Sequence, residues 1–230
     1  MEKKEFTRKC FDAIIHDVVQ WNKIGGNEVE DKSLIPIYTQ LSREEMFGQN
    51  EFLQGWFTGD KVMQADGVGD LLFTVGMLCE LTDSCDHFQC ATPEWKNSFS
   101  TEEVISLLSS SLINGEDYYE LREHLFALCV KMSEIMDVEE VFRVISNSNY
   151  SKYIHEDELD RGFELPSAVA FIEYQGRYGD VSYKKVGNYY VFTAGKDLES
   201  GVVFDKPKII KSSLYHEPVG LERHIYGDRI

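Results

Sequence analysis

Apolar residues recur at helical spacing through most of the first 150 residues, which predicts a run of helices. The predicted helices cover residues 5–22, 33–55, 60–81, 100–115, 118–136 and 137–147, and a loop covers 82–99. Ser33 is a candidate N-cap, and Ser100 followed by Glu103 has capping-box spacing. The first part of the chain is therefore expected to be a helical bundle.

The pattern changes near residue 165, where β-branched and aromatic residues alternate with glycine-containing turns. The predicted strands cover residues 168–174, 181–186, 188–194 and 202–204. We expect a small antiparallel β-hairpin or meander within residues 165–205, too small to stand confidently as an independent domain. The predicted fold class is mainly α with this β insertion near the C-terminus.

The composition narrows the classes of function. Hydrophobic residues make up 43% of the chain, while the net charge is −17 and the pI is about 4.7. Direct nucleic-acid binding and binding to anionic membranes are not expected, because both need clustered Lys and Arg. The start of the chain lacks the apolar run of a signal peptide, and the five cysteines form no CxxC pair, so we expect reduced thiols and a cytoplasmic protein. Cys85, His87 and Cys90 leave a zinc fragment open beside an ordinary loop, but the spacing fits no standard ligand set.

Two acidic segments carry the candidate chemistry. Asp66 and Asp70 are four residues apart and share a helical face, and Asp70 precedes the apolar residues 71–73. Glu44 and Glu51 are seven apart, with Glu45 beside the first of them. Carboxylate oxygens in this number suit Mg²⁺, or Mn²⁺ in its place. The alternative is an acidic face exposed to solvent. The apolar residues that follow Asp70 argue against it, because they predict that Asp70 is partly buried, and burying an unpaired carboxylate is costly.

The glycines beside these acids are unusual in a helix. Gly48, Gly67 and Gly69 each cost about 1 kcal/mol relative to Ala there. We expect that something approaches the backbone closely at these positions.

Three segments together resemble the all-α nucleoside triphosphate pyrophosphohydrolases, in particular the phage-type MazG-like branch. The first is L-x-x-E-E at 41–45 followed by A-D-x-x-x-D-L-L-F at 65–73. The second is V-I-S-N-S-N-Y-S-K at 144–152, and the third is K-P-K-I-I-K-S-S-L-Y-H-E-P at 206–218. The order of the three segments along the chain also agrees with that branch.

The resemblance implies a helical bundle that hydrolyses (d)NTP to (d)NMP and pyrophosphate with Mg²⁺. It also implies a homodimer or larger homo-oligomer in the cytoplasm, which would be the host cytoplasm for a phage protein. The implied catalytic residues are Glu44, Glu45 and Asp70. The implied metal ligands are Glu44, Glu45, Glu51, Asp66 and Asp70. The implied nucleotide contacts are Asn149, Ser151, Lys152, Lys211 and Tyr215, and Trp56 is the best candidate to stack on a base. The implied domains are a core over 1–164 with an insertion at 82–136, and a β-hairpin extension over 165–230 that carries the C-terminal phosphate-contact segment and packs on the core.

The sequence departs from the family pattern E-E-x-x-E then E-x-x-D at two positions. Gly48 stands at the third Glu, and Gly67 stands at the fourth. Glu51 is the candidate substitute for the missing ligand. Two other interpretations therefore stay open: a nucleotide-sequestering protein that no longer hydrolyses, and an interaction protein that uses the 82–136 and 165–205 insertions.

Overall fold

A computed structural model describes residues 3–83, 98–115, 118 and 120–227 of the chain, without the side chains of residues 205 and 206. The chain forms two compact units. The helical unit comprises Met1–Lys23, Asn27–Ile145 and Val219–Ile230, and the sheet unit comprises Ile24–Gly26 and Ser146–Pro218. The protein is thus mainly helical with a C-terminal antiparallel sheet region, as the sequence predicts. Most of the loop predicted at 82–99, with Cys85, His87, Cys90 and Trp95, lies outside the described residues.

The helical unit is built from seven helices and two 3₁₀ turns among the described residues. The helices are α1 (Arg8–Gly25), α2 (Ile35–Phe47), α3 (Phe52–Thr58), α4 (Lys61–Leu81), α5 (Thr101–Asn114), α6 (Leu121–Met132) and α7 (Val138–Tyr150). The 3₁₀ turns are Lys32–Leu34 and Leu221–His224. The end of α7, from Ser146 onward, belongs to the sheet unit. Helix α5 begins with the predicted capping box of Ser100 and Glu103 and ends at Gly115 in the left-handed conformation.

Helix α4 is the centre of this unit. Asp60 caps its first turn by accepting hydrogen bonds from the backbone N–H groups of Val62 and Met63. From Gln64 onward nearly every residue is buried. The helix is long and apolar enough to cross a membrane by length and composition alone, but 72% of that stretch is buried inside the protein. Its hydrophobicity is accounted for by its central place in the core.

The single helix predicted over 33–55 is wrong, because its start is a 3₁₀ turn and the chain leaves the helical conformation between Phe47 and Phe52. Asp31, rather than Ser33, caps the start by accepting from the Ser33 backbone N–H. Helix α2 then ends at Gly48, whose backbone is extended, and the chain turns through Asn50 at a φ of 67° before α3 begins. Gly48 and Asn50 are residue types that favour such a stop and turn.

The sheet unit has one long central strand. Strand β4 (Tyr189–Asp197) pairs antiparallel with the other four strands, which are β1 (Ile154–His155), β2 (Tyr178–Gly179), β3 (Ser182–Val186) and β5 (Val203–Ile209). The predicted strands at 181–186, 188–194 and 202–204 are confirmed, with β4 and β5 longer than predicted. Two short helices, α8 (Asp157–Asp160) and α9 (Leu165–Tyr174), complete the unit.

The strand predicted over 168–174 is wrong, since these residues form most of helix α9. Leu165, Ala168 and Ile172 are buried, at the i, i+3 and i+7 spacing of a helix face. Pro166 lies in the first turn, where a missing N–H costs nothing. A short apolar run is ambiguous by periodicity alone, and the strand interpretation ignored this start signal.

Other boundaries shift by a few residues, as helix ends commonly do. Helix α6 is shorter than the predicted 118–136, α7 runs three residues beyond the predicted 147, and α1 begins and ends three residues late. Along the chain, the long segment of the sheet unit begins at Ser146, whereas the sequence analysis put the start of the extension at residue 165. The difference arises because Ile154 and His155 contribute a strand to the sheet.

Candidate functional site

The carboxylates of Glu45, Glu51 and Asp70 form a compact group, here called the acid triad. One oxygen from each lies within 4.8 Å of the other two, and all three residues are half-buried. Glu45 comes from α2, Glu51 from the residue just before α3, and Asp70 from the middle of α4. Three carboxylates that are separated in the sequence are therefore brought within 4.8 Å of one another.

The surroundings of the triad raise the pKa values of its two glutamates. Burial raises the pKa of Glu45 to about 8, and the negative charges of Asp70 and Glu51, a hydrogen bond with Glu51 and the charge of Asp66 act in the same direction. Burial also raises the pKa of Glu51, while its hydrogen bond with Glu45 opposes that shift. The direction is clear for the pair: near neutral pH the two glutamates share a proton, with Glu45 as the donor.

Gly67 explains how Glu51 reaches the triad. A Cβ atom at Gly67 would lie 2.7 Å from the Cα of Phe52 and 2.8 Å from its backbone nitrogen. Only glycine allows the first residue of α3 to press against α4 at this point. The close approach expected from the sequence is therefore made by the protein's own backbone, and at Gly69 it is made by the side chain of Ile145.

The remaining predicted acids have different surroundings. Glu44 is exposed and accepts a hydrogen bond of 2.8 Å from the amide of Gln40, so the structure does not bring it into the triad. Asp66 is half-buried and its charge raises the pKa of both Glu45 and Glu51. Trp56, the candidate for base stacking, is partly buried against the core of the helical unit.

The residues expected to contact nucleotide fall in the sheet unit. Asn149 is buried in the last turn of α7 and accepts a hydrogen bond of 2.6 Å from the ammonium of Lys152. The hydroxyl of Ser151 donates to the carbonyl of Ser148 at 2.6 Å and accepts from the backbone N–H of His216 at 3.2 Å. Ser151 thus ties the end of α7 to the segment after β5.

Two further serines strengthen this tie, and the sequence interpretation did not single them out. The Ser148 hydroxyl donates to the carbonyl of His216 at 2.8 Å, and the Ser212 hydroxyl donates to the carbonyl of Ser151 at 2.8 Å. Both serines are buried. Their positions inside the two resembling segments were the available signal.

Lys211, Tyr215 and Glu217 form a second group, here called the lysine cluster. The Lys211 ammonium lies 3.8 Å from the centre of the Tyr215 ring and 3.2 Å from Glu217 Oε1. The Tyr215 hydroxyl donates to the other carboxylate oxygen, Oε2, at 2.6 Å. Glu217 was also missed at the sequence level, although its place two residues after Tyr215 lets both side chains point the same way in extended chain.

No protein-family model matches this chain, and no curated protein or solved structure shows detectable similarity to it.

Proposed function

We propose that this chain is a Mg²⁺-dependent nucleotide pyrophosphohydrolase that converts (d)NTP and water to (d)NMP and pyrophosphate. The observation that carries the proposal is the acid triad of Glu45, Glu51 and Asp70. The resemblance to the phage-type MazG-like proteins supports it, and with it an all-α pyrophosphohydrolase type of bundle that assembles as a homodimer or larger homo-oligomer.

The donor set fits a small divalent cation. Oxygens bound to one octahedral Mg²⁺ are about 3 to 4 Å apart, a spacing compatible with the 4.8 Å limit of the triad. Burial is the largest cause of the raised pKa of Glu45, and the nearby charges of Asp70, Glu51 and Asp66 add to it; a bound cation would offset these negative charges. Mn²⁺ accepts the same ligands and is an alternative cofactor.

The residues then divide into three roles. Glu45, Glu51 and Asp70 would hold the cation, which neutralises the triphosphate and polarises the attacked phosphorus when bound. Asp66, one helical turn before Asp70, would position the attacking water and accept its proton. For Lys152 and Lys211, both in the sheet unit, the role of phosphate contacts rests on the resemblance and on the positive charge that they offer in an acidic chain.

With Gly48 at the third Glu position of the family pattern, Glu51 would supply the third carboxylate. Helix α2 stops at Gly48, and the turn returns Glu51 to the place beside Glu45 and Asp70. The alternative of a sequestering protein without hydrolysis keeps one argument, because Glu44, the leading residue of the family motif, is exposed and bonded to Gln40. An interaction role for the insertions has no comparable support.

The test is incubation with a panel of the common NTPs and dNTPs, with Mg²⁺, with Mn²⁺ and with EDTA. We expect metal-dependent release of monophosphate and pyrophosphate from at least one of them. Asp70→Asn should lower the rate by at least a hundredfold, because it removes a charged ligand without changing the shape of the side chain.

Two results would count against the proposed pyrophosphohydrolase reaction. Absence of pyrophosphate across the panel, together with nucleotide binding, would favour the sequestering alternative. Release of inorganic phosphate instead of pyrophosphate would show that a different phosphoanhydride bond is cleaved.

A further inference from the structure

The carboxylate of Glu217 is contacted by an ammonium and a hydroxyl, two kinds of group that bind anions. Its two carboxylate oxygens receive different partners, one the ammonium of Lys211 and the other the hydroxyl of Tyr215. These contacts lower the pKa of Glu217, with the Tyr215 hydrogen bond first, then Lys211, and the charge of Lys152 last. Two cations and one O–H donor therefore act on a single carboxylate.

The cluster differs from an ordinary surface ion pair in the same unit. Lys185 and Glu156 are also paired, at 2.7 Å, but the Lys185 ammonium lies 5.7 Å from the nearest ring centre and no hydroxyl joins the pair. Lys211 is instead held 3.8 Å from the Tyr215 ring by a cation–π contact. This contact fixes the direction of the Lys211 ammonium beside the hydroxyl of the same tyrosine.

We propose that Lys211 and Tyr215 form a phosphoryl-binding site that the carboxylate of Glu217 occupies until a ligand displaces it. The inference rests on the proposed function only in naming a nucleotide as the source of the phosphoryl group. The site itself is argued from the contacts of the lysine cluster.

A phosphoryl group is a better occupant than the carboxylate. It carries up to two negative charges and offers three acceptor oxygens, so it can accept from Lys211 and Tyr215 together and leave one oxygen free. Glu217 is 71% exposed in its side chain, so it can move into solvent at little cost. Exposed ion pairs of this kind are weak, and displacement by a dianion is favourable.

The experiment is calorimetric titration with inorganic pyrophosphate in EDTA, so that the measured binding does not depend on a divalent cation. Glu217→Gln should tighten binding about threefold to tenfold, because an internal competitor is removed. Lys211→Met should weaken it at least tenfold, and Tyr215→Phe about threefold, since the latter keeps the ring under Lys211 and removes only the hydroxyl.

The matched control is Glu156→Gln, which frees Lys185 and changes the net charge of the chain by the same amount. It should leave pyrophosphate binding unchanged. Equal tightening by Glu156→Gln and Glu217→Gln would overturn the proposal in favour of a general charge effect, as would weaker or unchanged binding by Glu217→Gln. Binding with the expected variant effects but no hydrolysis of any nucleotide would overturn the proposed function and keep this inference. Hydrolysis of a nucleotide without these variant effects would overturn this inference and keep the proposed function.

Discussion

At the residue scale, the central feature is a hydrogen-bonded pair of half-buried glutamates, Glu45 and Glu51. Glu45 and Glu51 are held together because α2 stops at Gly48 and the chain returns to α4 three residues later. Both carboxyl groups have raised pKa values, and burial is the largest cause for each. Without a cation, the folded protein therefore favours the protonated pair.

This pair predicts how the stability of the metal-free protein depends on pH. The folded pKa of Glu45, about 8, lies above its ordinary value of 4.5, so its contribution is full below pH 4.5 and is lost as the pH rises through 8. Glu51 shifts in the same direction. We expect about 2 kcal/mol of stability to be lost across this range, after allowing for solvent screening of a half-buried group.

The measurement is urea unfolding in EDTA at pH 5 and pH 8.5 for the wild type and Glu45→Gln. The variant should lose markedly less stability between the two pH values. Glu30→Gln, an exposed substitution of the same charge, should follow the wild type. A wild-type protein that is more stable at pH 8.5 than at pH 5 would contradict the assigned pKa direction.

At the element scale, two helices meet through a glycine. The contact between Gly67 of α4 and the backbone of Phe52 sets where α3 begins, and so sets the position of Glu51. The sequence indicated that these glycines allow close approach, but it could not show that the approaching group is backbone. It also could not show the break after residue 47, because helical spacing continues through Phe52.

Gly67→Ala tests this contact. Its Cβ would meet the backbone of Phe52 at 2.7 Å, and backbone cannot rotate away, so we expect a loss of about 2 to 4 kcal/mol in the free energy of unfolding. Displacement of Phe52 should also move Glu51 and weaken divalent cation binding at least threefold.

Gly76→Ala on the same helix is the control. Its Cβ would meet only the end of the Ile15 side chain, at 2.9 Å, which can move. Thermal unfolding and Mn²⁺ titration of both variants provide the comparison. If Gly67→Ala keeps wild-type Mn²⁺ affinity, the link between this packing contact and the triad is wrong.

Some of the helices and strands could be predicted from the sequence, and others could not. The capping box at Ser100, the helix after Asp60 and the hairpin of β3 and β4 were predictable, because each depends on residues close in sequence. Helix α9 was not, since a seven-residue apolar run fits either period. Its buried face is evident only when Leu165 is included.

At the scale of the whole molecule, the sequence offered five acids as metal ligands, and the structure brings three of them together. Glu45, Glu51 and Asp70 form the acid triad, with Glu51 as the substitute considered for the position of Gly48, while Glu44 lies at the surface. The reason is physical: Glu44 and Glu51 align only on a continuous helix, and the chain is interrupted between them. The net charge of −17 repels phosphate groups, so the proposed function needs a bound cation and a few lysines to bind them.

The most direct test of the account is a Mn²⁺ titration followed by electron paramagnetic resonance, which counts free ion, on the wild type and on single variants. The account predicts one saturable site, lost or weakened at least tenfold in Glu45→Gln, Glu51→Gln and Asp70→Asn, and competed by Mg²⁺. Glu44→Gln separates the structural grouping from the one expected from sequence, since only the latter requires the same loss. Absence of a saturable site, or equal affinity in all four variants and the wild type, would contradict a metal centre at Glu45, Glu51 and Asp70.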